Sequence, residues 1–595
     1  MGQRNRSDVD ETLVQQFSWH DYARLAQYIK PYRKPIYRIL AVIIIANVAG
    51  MLGPYFTKIV IDNVIPARDV RQLLWIGALY TGSLILIGWC LRYRIYHITE
   101  LGQDVLKDMR LDIFQHLQKL SFAYFDNRPH GKILIRVVNY INTLSDLLSN
   151  GLVNLISDVF NVVITLIFMF TINARLTWYS LALIPFLALM VMVIQNRQRK
   201  AYQVLSNKQS NLNAYIHESI AGVKVTQSFA REDENFRIFD AINKDNKQSW
   251  MHAVKIQFLL WPGVQNISVI TMCLIYFVGI RQIGVQVSTG TLIAFIGYIN
   301  NFWNPIINIG NFYNSLITAT AYLERIFETL DEPIEIMDAP NAYDLPQISG
   351  HVVFDHVNFR YEPGKNILND VHFEVTQGQS IALVGPTGAG KTTIINLLSR
   401  FYDVSEGAVL IDGHDVREVT LASLRKQVGV MLQDSFIFTG TIMENIRYGK
   451  LDATDEEVVT AAKIVHADHF IKDLKNGYQT KVEERGNTLS AGQRQLIAFA
   501  RVLLADPRIL ILDEATSSID TKTEELIQSG LHALLKGRTS FIVAHRLSTI
   551  KNSDQIFYID GGQIVERGNH AELIAQHGQY YRLYQSQYDM LKLND

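Results

Sequence analysis

The sequence predicts a chain in two unlike parts, an α-helical membrane domain followed by an α/β domain, and three observations carry that division. Six apolar stretches of membrane-spanning length lie between residues 36 and 320, where a hydrocarbon core of about 30 Å takes roughly 20 apolar residues as a helix. Beyond residue 345 such stretches stop, and short apolar runs alternate with helical patterns. In that second part a buried-strand run, Ser380–Val384, leads into the glycine-rich turn Gly385-Pro386-Thr387-Gly388-Ala389-Gly390-Lys391-Thr392 and then a helical pattern, the context in which such a loop cradles phosphates.

A chain of 595 residues exceeds one core, and a prior of roughly 150 residues per domain predicts several units. The expected division is an N-terminal tail and elbow helix at 1–35, a six-span transmembrane domain at 36–320, a linker at 321–345, and a nucleotide-binding domain with a C-terminal helical tail at 346–595. The formal net charge of -1 offers no field for nucleic acid. Cys90 and Cys273 both fall in apolar stretches, where structural thiols are expected rather than a redox pair. Residues 1–34 are polar and charged, without the apolar run of a cleavable signal.

The spans are expected at 36–56, 73–94, 153–172, 176–194, 258–280 and 291–318. The last is the most polar, carrying Asn300, Asn301, Asn304, Asn308, Asn311 and Asn314, which suits a helix facing a wet cavity more than one facing lipid. Short connections such as 173–175 alternate with long ones that keep a helical pattern, and Lys and Arg concentrate in the long ones. The positive-inside bias therefore places the long connections, both termini and the α/β domain on the cytoplasmic side of a multi-pass protein of the cell membrane. Ahead of the first span, Trp19, Tyr22, Leu25, Ala26 and Ile29 recur at helical spacing after Ser18, which reads as an N-cap. An interfacial elbow helix is expected there, with a packed cytoplasmic helix as the alternative.

The glycines of the 385–392 loop let backbone N–H groups approach phosphate oxygens, and the helix opening at Lys391, with Thr393 in its first turn, favours an anion at its N-terminus. In this pattern Lys391 contacts the β and γ phosphates and Thr392 ligates Mg²⁺. The run Ile509-Leu510-Ile511-Leu512 is too short to span a membrane and suits a central parallel strand. Asp513 then stands at the strand's carboxyl end, where α/β sheets bind ligands, as a second group for Mg²⁺. Glu514 beside it is the candidate general base for a water attacking the γ phosphate.

Between these motifs, Leu489-Ser490-Ala491-Gly492-Gln493-Arg494-Gln495 resembles the signature loop of ATP-binding-cassette (ABC) ATPases, and other motifs of that family lie in order around it. The resemblance implies that Tyr361 stacks on adenine, that Gln433 reaches the metal and water, that Asp520 belongs to the D-loop, and that His545 is the switch histidine near the γ phosphate. Val482-Glu483-Glu484-Arg485-Gly486 is similar to an exporter-specific loop, with Glu483 in place of the usual Gly. With six spans ahead of the ATPase, the chain resembles the half-transporter of bacterial ABC exporters: a helical membrane domain plus an α/β P-loop ATPase domain of the ABC type. The resemblance implies ATP and Mg²⁺ as cofactors and a second exporter half as partner. ATP would lie between one chain's phosphate loop and the other's Ser490, Ala491, Gly492 and Gln493. Coupling helices are expected near 122–131 and 211–223.

Ala491 replaces the first Gly of the usual signature, adding a Cβ and disfavouring positive φ. Together with an intact Glu514, this favours one half of a heterodimer over a homodimer with a tolerated change. The expected function is ATP-driven export of hydrophobic or amphipathic compounds, of multidrug type, with a lipid flippase as the alternative. A soluble ABC ATPase acting on nucleic acid is disfavoured by the six fused spans. Asp158 in the third span, and Tyr298, Phe302 and Trp303 in the sixth, are the candidates to line a cavity for a small amphipathic substrate, with helix packing the alternative for the aromatics.

Overall fold

The third apolar stretch forms a helix over the residues expected of it, Val153–Ile172; most others run far past the bilayer-sized segment. In the computed structural model the described residues are 19–128, 130–146, 151, 153–283, 287–362, 364–431, 436–483, 486–513, 521–543 and 550–592. They fall into two compact units, one made of the chain up to Gln118 with His130–Glu332, the other of Lys119–Pro129 with Pro333 onward.

The first unit is helical. Its long elements are Arg33–Ile59, Val70–Leu117, Val153–Ile172, Ile184–Ala221, Glu232–Gln257, Leu260–Gln282 and Thr289–Leu330. A 48-residue helix such as Val70–Leu117 is about 72 Å long, over twice a hydrocarbon core. Among the described residues, five helical segments are long and apolar enough to cross a membrane. The expected sixth, Thr289–Leu330, has the length, but its asparagines keep it from that class. The fourth stretch is broken into Ala174–Leu181 and Ile184–Ala221, because Pro185 lacks the N–H that would continue the ladder. The coupling helix expected at 211–223 is not separate there: the long helix holds to Ala221, breaks at Gly222, and a short helix follows at Val223–Ser228. Buried Leu212, and Tyr215, whose hydroxyl reaches Asn235, keep the preceding residues helical.

Two tertiary features organise this unit. Asp62, in the wider turn Val60–Val64, accepts hydrogen bonds from Ser288 Oγ (2.5 Å) and Gly290 N–H (2.8 Å), so a side chain from the first long helix caps the start of Thr289–Leu330. At the other end of that helix the elbow, Trp19–Ile29, is packed on it. Tyr22 donates to Leu316 O (2.7 Å), and Arg24 forks onto Asp331 (2.6 and 2.8 Å) while covering the Phe327 ring. Ser18, the expected N-cap, lies outside the described residues.

The second unit holds a six-stranded sheet in the order Gln563–Gly568, Gln555–Asp560, Ser380–Val384, Thr539–Val543, Ile509–Asp513, Val428–Met431. All neighbours in it are parallel except the Gln563–Gly568 edge. The central strands are buried on both faces, which is why Ile509–Leu512 reads as an unbroken apolar run and even Thr539 and Ser540 are buried. An antiparallel sheet lies in the same unit, ordered Leu368–Val375, Val352–Phe359, Glu406–Ile411, His414–Asp415. The short helix Phe122–Asp126, inside the 122–131 segment, belongs to this unit too. Its Phe122 ring lies 4.2 Å from Phe401, Asp126 accepts from Tyr402 Oη (3.0 Å), and the preceding Ser121 donates to Glu335 (3.0 Å).

Candidate functional site

The phosphate loop is built by strand Ser380–Val384 turning into helix Lys391–Leu398. Gly385 has φ 145°, and a Cβ there would stand 2.0 Å from Ile559 O on the neighbouring strand. Gly390, the residue before the helix, has φ 112°, and a Cβ would meet Leu368 at 2.7 Å. Neither position admits a side chain. Lys391 is buried (8% exposed) and donates to Gly385 O (2.8 Å) and Pro386 O (2.9 Å), closing the loop around its ammonium. Burial pulls its pKa below the usual lysine value, and the Asp513 carboxylate acts against that shift. The loop fits a polyphosphate: a backbone concavity free of Cβ atoms, a helix N-terminus and a buried cation. Thr392 is exposed at the start of the helix and Asp513 closes strand Ile509–Asp513, a hydroxyl and a carboxylate of the kind that suits a hard divalent ion.

Thr539–Val543 separates the loop strand from Ile509–Asp513, with Val543 in register with both Leu383 and Asp513. Three carboxyl ends therefore converge on one edge of the sheet. Tyr361 follows the antiparallel strand Val352–Phe359 and remains 37% exposed. Its hydroxyl is 3.2 Å from Thr393 Oγ1 and accepts from Asn396 Nδ2 (3.3 Å), while Phe359 and Tyr402 stand edge-on around its ring. Thr393 is thus buried against Tyr361, whereas its neighbour Thr392 points outward. Gln433, Glu514, Asp520 and His545 lie outside the described residues.

Ser490 caps the helix Ala491–Ala505: its Oγ accepts from Gln493 N (3.2 Å), and Gln493 Oε1 accepts from Ser490 N (2.9 Å). A serine hydroxyl that accepts in this way keeps its own proton to donate. Ala491 is the first helical residue, exposed and with ordinary negative φ. The expected conflict between its Cβ and a positive φ is therefore absent, since alanine is the best helix former at a position that is already helical. What remains of the Gly-to-Ala difference is one exposed methyl group.

Two regions of the chain match known family descriptions: residues 36–306 the ABC transporter transmembrane region, and residues 368–517 the ABC transporter family. The chain is 42% identical over 582 residues to YknV of Bacillus subtilis (strain 168), an uncharacterized ABC transporter ATP-binding protein, covering 97% of this chain and 96% of that one. The chain belongs to the ABC transporters. It is also 38% identical over 573 residues (94% and 98% covered) to YgaD of the same bacterium, provisionally named a multidrug export ATP-binding/permease protein. A fatty acid ABC transporter ATP-binding/permease protein of Mycobacterium tuberculosis (strain CDC 1551 / Oshkosh) is 39% identical over 528 residues, covering 88% and 83%. The solved structure of a bacterial Atm1-family ABC exporter with ATP bound superposes with a TM-score of 0.79 at 28% identity, covering 93% of this exporter and 98% of that chain. This ABC exporter is therefore an ATP-binding, ATP-hydrolysing protein that dimerises and is embedded in a membrane.

Of the exporter's cavity candidates, Tyr298, Phe302 and Trp303 are 0, 5 and 3% exposed and packed among Met51, Met169 and Leu176, with Tyr298 Oη donating to Met51 O (3.0 Å). They are helix-packing residues here. Asp158 is hydrogen-bonded to Asn308, with Arg94 close by on Ser157 Oγ (3.1 Å). Sequence reasoning missed Phe401 and Tyr402, which receive the Phe122–Asp126 helix. They directly follow the phosphate-loop helix in a run whose local pattern marks nothing but its end.

Proposed function

We propose that the exporter uses ATP hydrolysis to move hydrophobic or amphipathic compounds of multidrug type out across the cell membrane, with the ATPase unit and both termini cytoplasmic. The observation that carries this reading is the fusion of a long-helix apolar unit to a phosphate cradle closed by a buried lysine. One relative is named for multidrug export and another for fatty acids, and the Asp158–Asn308 pair offers a polar feature in the spans for an amphiphile's head group.

At the ATP site, Lys391 and the amides of 385–392 hold the phosphates and the Tyr361 ring stacks on the base. Thr392, Gln433 and Asp513 would hold Mg²⁺, whose charge would neutralise the phosphate oxygens. Glu514 takes the proton of the attacking water, and His545 hydrogen-bonds the γ phosphate. Across a dimer, the Ser490 hydroxyl and the Gly492 amide donate to the nucleotide on the other chain, with Gln493 holding Ser490 in place. Asp520 would serve as the D-loop aspartate, as the family resemblance implies. A non-identical exporter half as partner would put Ala491's methyl at the weaker site and Glu514 at the stronger one, whereas a second copy of this chain would put both in each site.

The test is Glu514→Gln in reconstituted vesicles. ATP binding is expected to persist while hydrolysis and dye export fall by about 10²- to 10⁴-fold, the usual share of a general base. Turnover within about threefold of the parent would remove Glu514 from that role.

A further inference from the structure

A cluster outside the nucleotide site has the composition of a transition-metal centre. Strand Val352–Phe359 pairs with Leu368–Val375 through Phe354↔Phe373 and then Val357↔Val371, so Asp355 and His356 together face the single residue His372. This two-against-one bulge interrupts the alternation of faces, and all three side chains emerge exposed on the sheet. Nearby Asp370 is exposed as well. Two non-glycine residues at the bulge, His356 (φ 47°) and Asp370 (φ 50°), hold left-handed conformations, and such strain concentrates where a side chain is being aimed. The neighbouring strand accommodates the bulge with Gly407, where a Cβ would lie 2.4 Å from His356 O and 2.5 Å from Asp355 O.

We propose that Asp355, His356 and His372 form a surface site for a divalent transition ion of the zinc class. One ligand atom from each lies within 4.8 Å of the other two. Ligands on a tetrahedral zinc are about 3.3 Å apart, a difference that exposed side chains close by small rotations. The two imidazoles are stacked, 4.8 Å between centroids and 19° between planes. Asp355 Oδ1 is 3.6 Å from His372 Nδ1. Asp370 supplies the outer support usual for a metal-bound histidine: its Oδ1 is 2.6 Å from His356 Nδ1, which fixes the tautomer and leaves Nε2 for the ion. Two imidazoles and a carboxylate suit zinc and its neighbours, whereas Mg²⁺ prefers oxygen ligands and does not compete well here. The bound ion would clip the two strands together just ahead of Tyr361.

The test uses the full chain in nanodiscs, without a histidine tag or nucleotide, titrated with Zn²⁺ against a competing indicator and with Co²⁺ followed by its visible absorption. One ion per chain is expected, bound at micromolar concentration. His372→Gln should abolish that site, and Asp370→Asn, which removes no ligand, should weaken it by about 10- to 100-fold. Binding of a fluorescent ATP analogue in magnesium buffer free of transition metals, unchanged within about twofold, reports that both variants fold. Binding in the parent no tighter than in His372→Gln, or an Asp370→Asn affinity equal to the parent's, overturns the proposal.

Discussion

Gly385 shows how narrowly one residue fixes the phosphate cradle. Its backbone takes a positive φ and passes so close to Ile559 O that a methyl group would overlap it. Gly385→Ala is therefore expected to cost about 3 kcal/mol or more, combining left-handed strain with overpacking. It should abolish binding of a fluorescent ATP analogue and lower the thermal midpoint of the ATPase unit; unchanged affinity would mean that the strand end moves aside. Ala491 teaches the opposite lesson. From sequence, alanine in place of glycine signals a backbone conflict, but that inference needs the local φ, which the residue type does not reveal. Because Ser490 caps the helix, the position is already helical and the methyl is tolerated.

Elements whose signal is a simple period were legible in the sequence. The Val153–Ile172 helix and the buried strands Ser380–Val384 and Ile509–Asp513 follow from continuous apolar runs bounded by polar or glycine residues. Elements set by a break in the period were not: the interruption before Pro185, the turn at Gly222, and the bulge at Asp355 and His356, which a two-residue repeat reads straight through. The seat of the Phe122–Asp126 helix was equally hidden, because Phe401 and Tyr402 lie more than 270 residues away in the chain and nothing local pairs them with it. That seat bears on coupling. Tyr402→Phe keeps the ring packing but deletes a hydrogen bond to a carboxylate worth about 1.5–3 kcal/mol. Basal ATP hydrolysis is expected to stay within about twofold while its stimulation by transported substrate falls severalfold. Full stimulation in the variant would separate this helix from coupling.

For the whole molecule, the question is which second chain completes the ATP site. If the partner is a non-identical half, this chain purified alone should bind ATP yet hydrolyse it poorly, and hydrolysis should rise on adding that half. Robust transport-coupled turnover by the lone chain would make it a homodimer. The membrane unit also carries a mechanical constraint in the cap that Asp62 places on the first turn of Thr289–Leu330. A helix tethered through its terminal amides has lost the freedom to slide along its neighbour and keeps the freedom to swing about the tether. At 1.5 Å per residue its 42 residues make an arm of about 63 Å. A tilt of about 5° at the Asp62 pivot displaces the far end by about 5 Å, roughly one helical turn. Asp62 is thus placed as a pivot, and the elbow, bound near the far end through Tyr22 and Arg24, would be carried along in any such tilt.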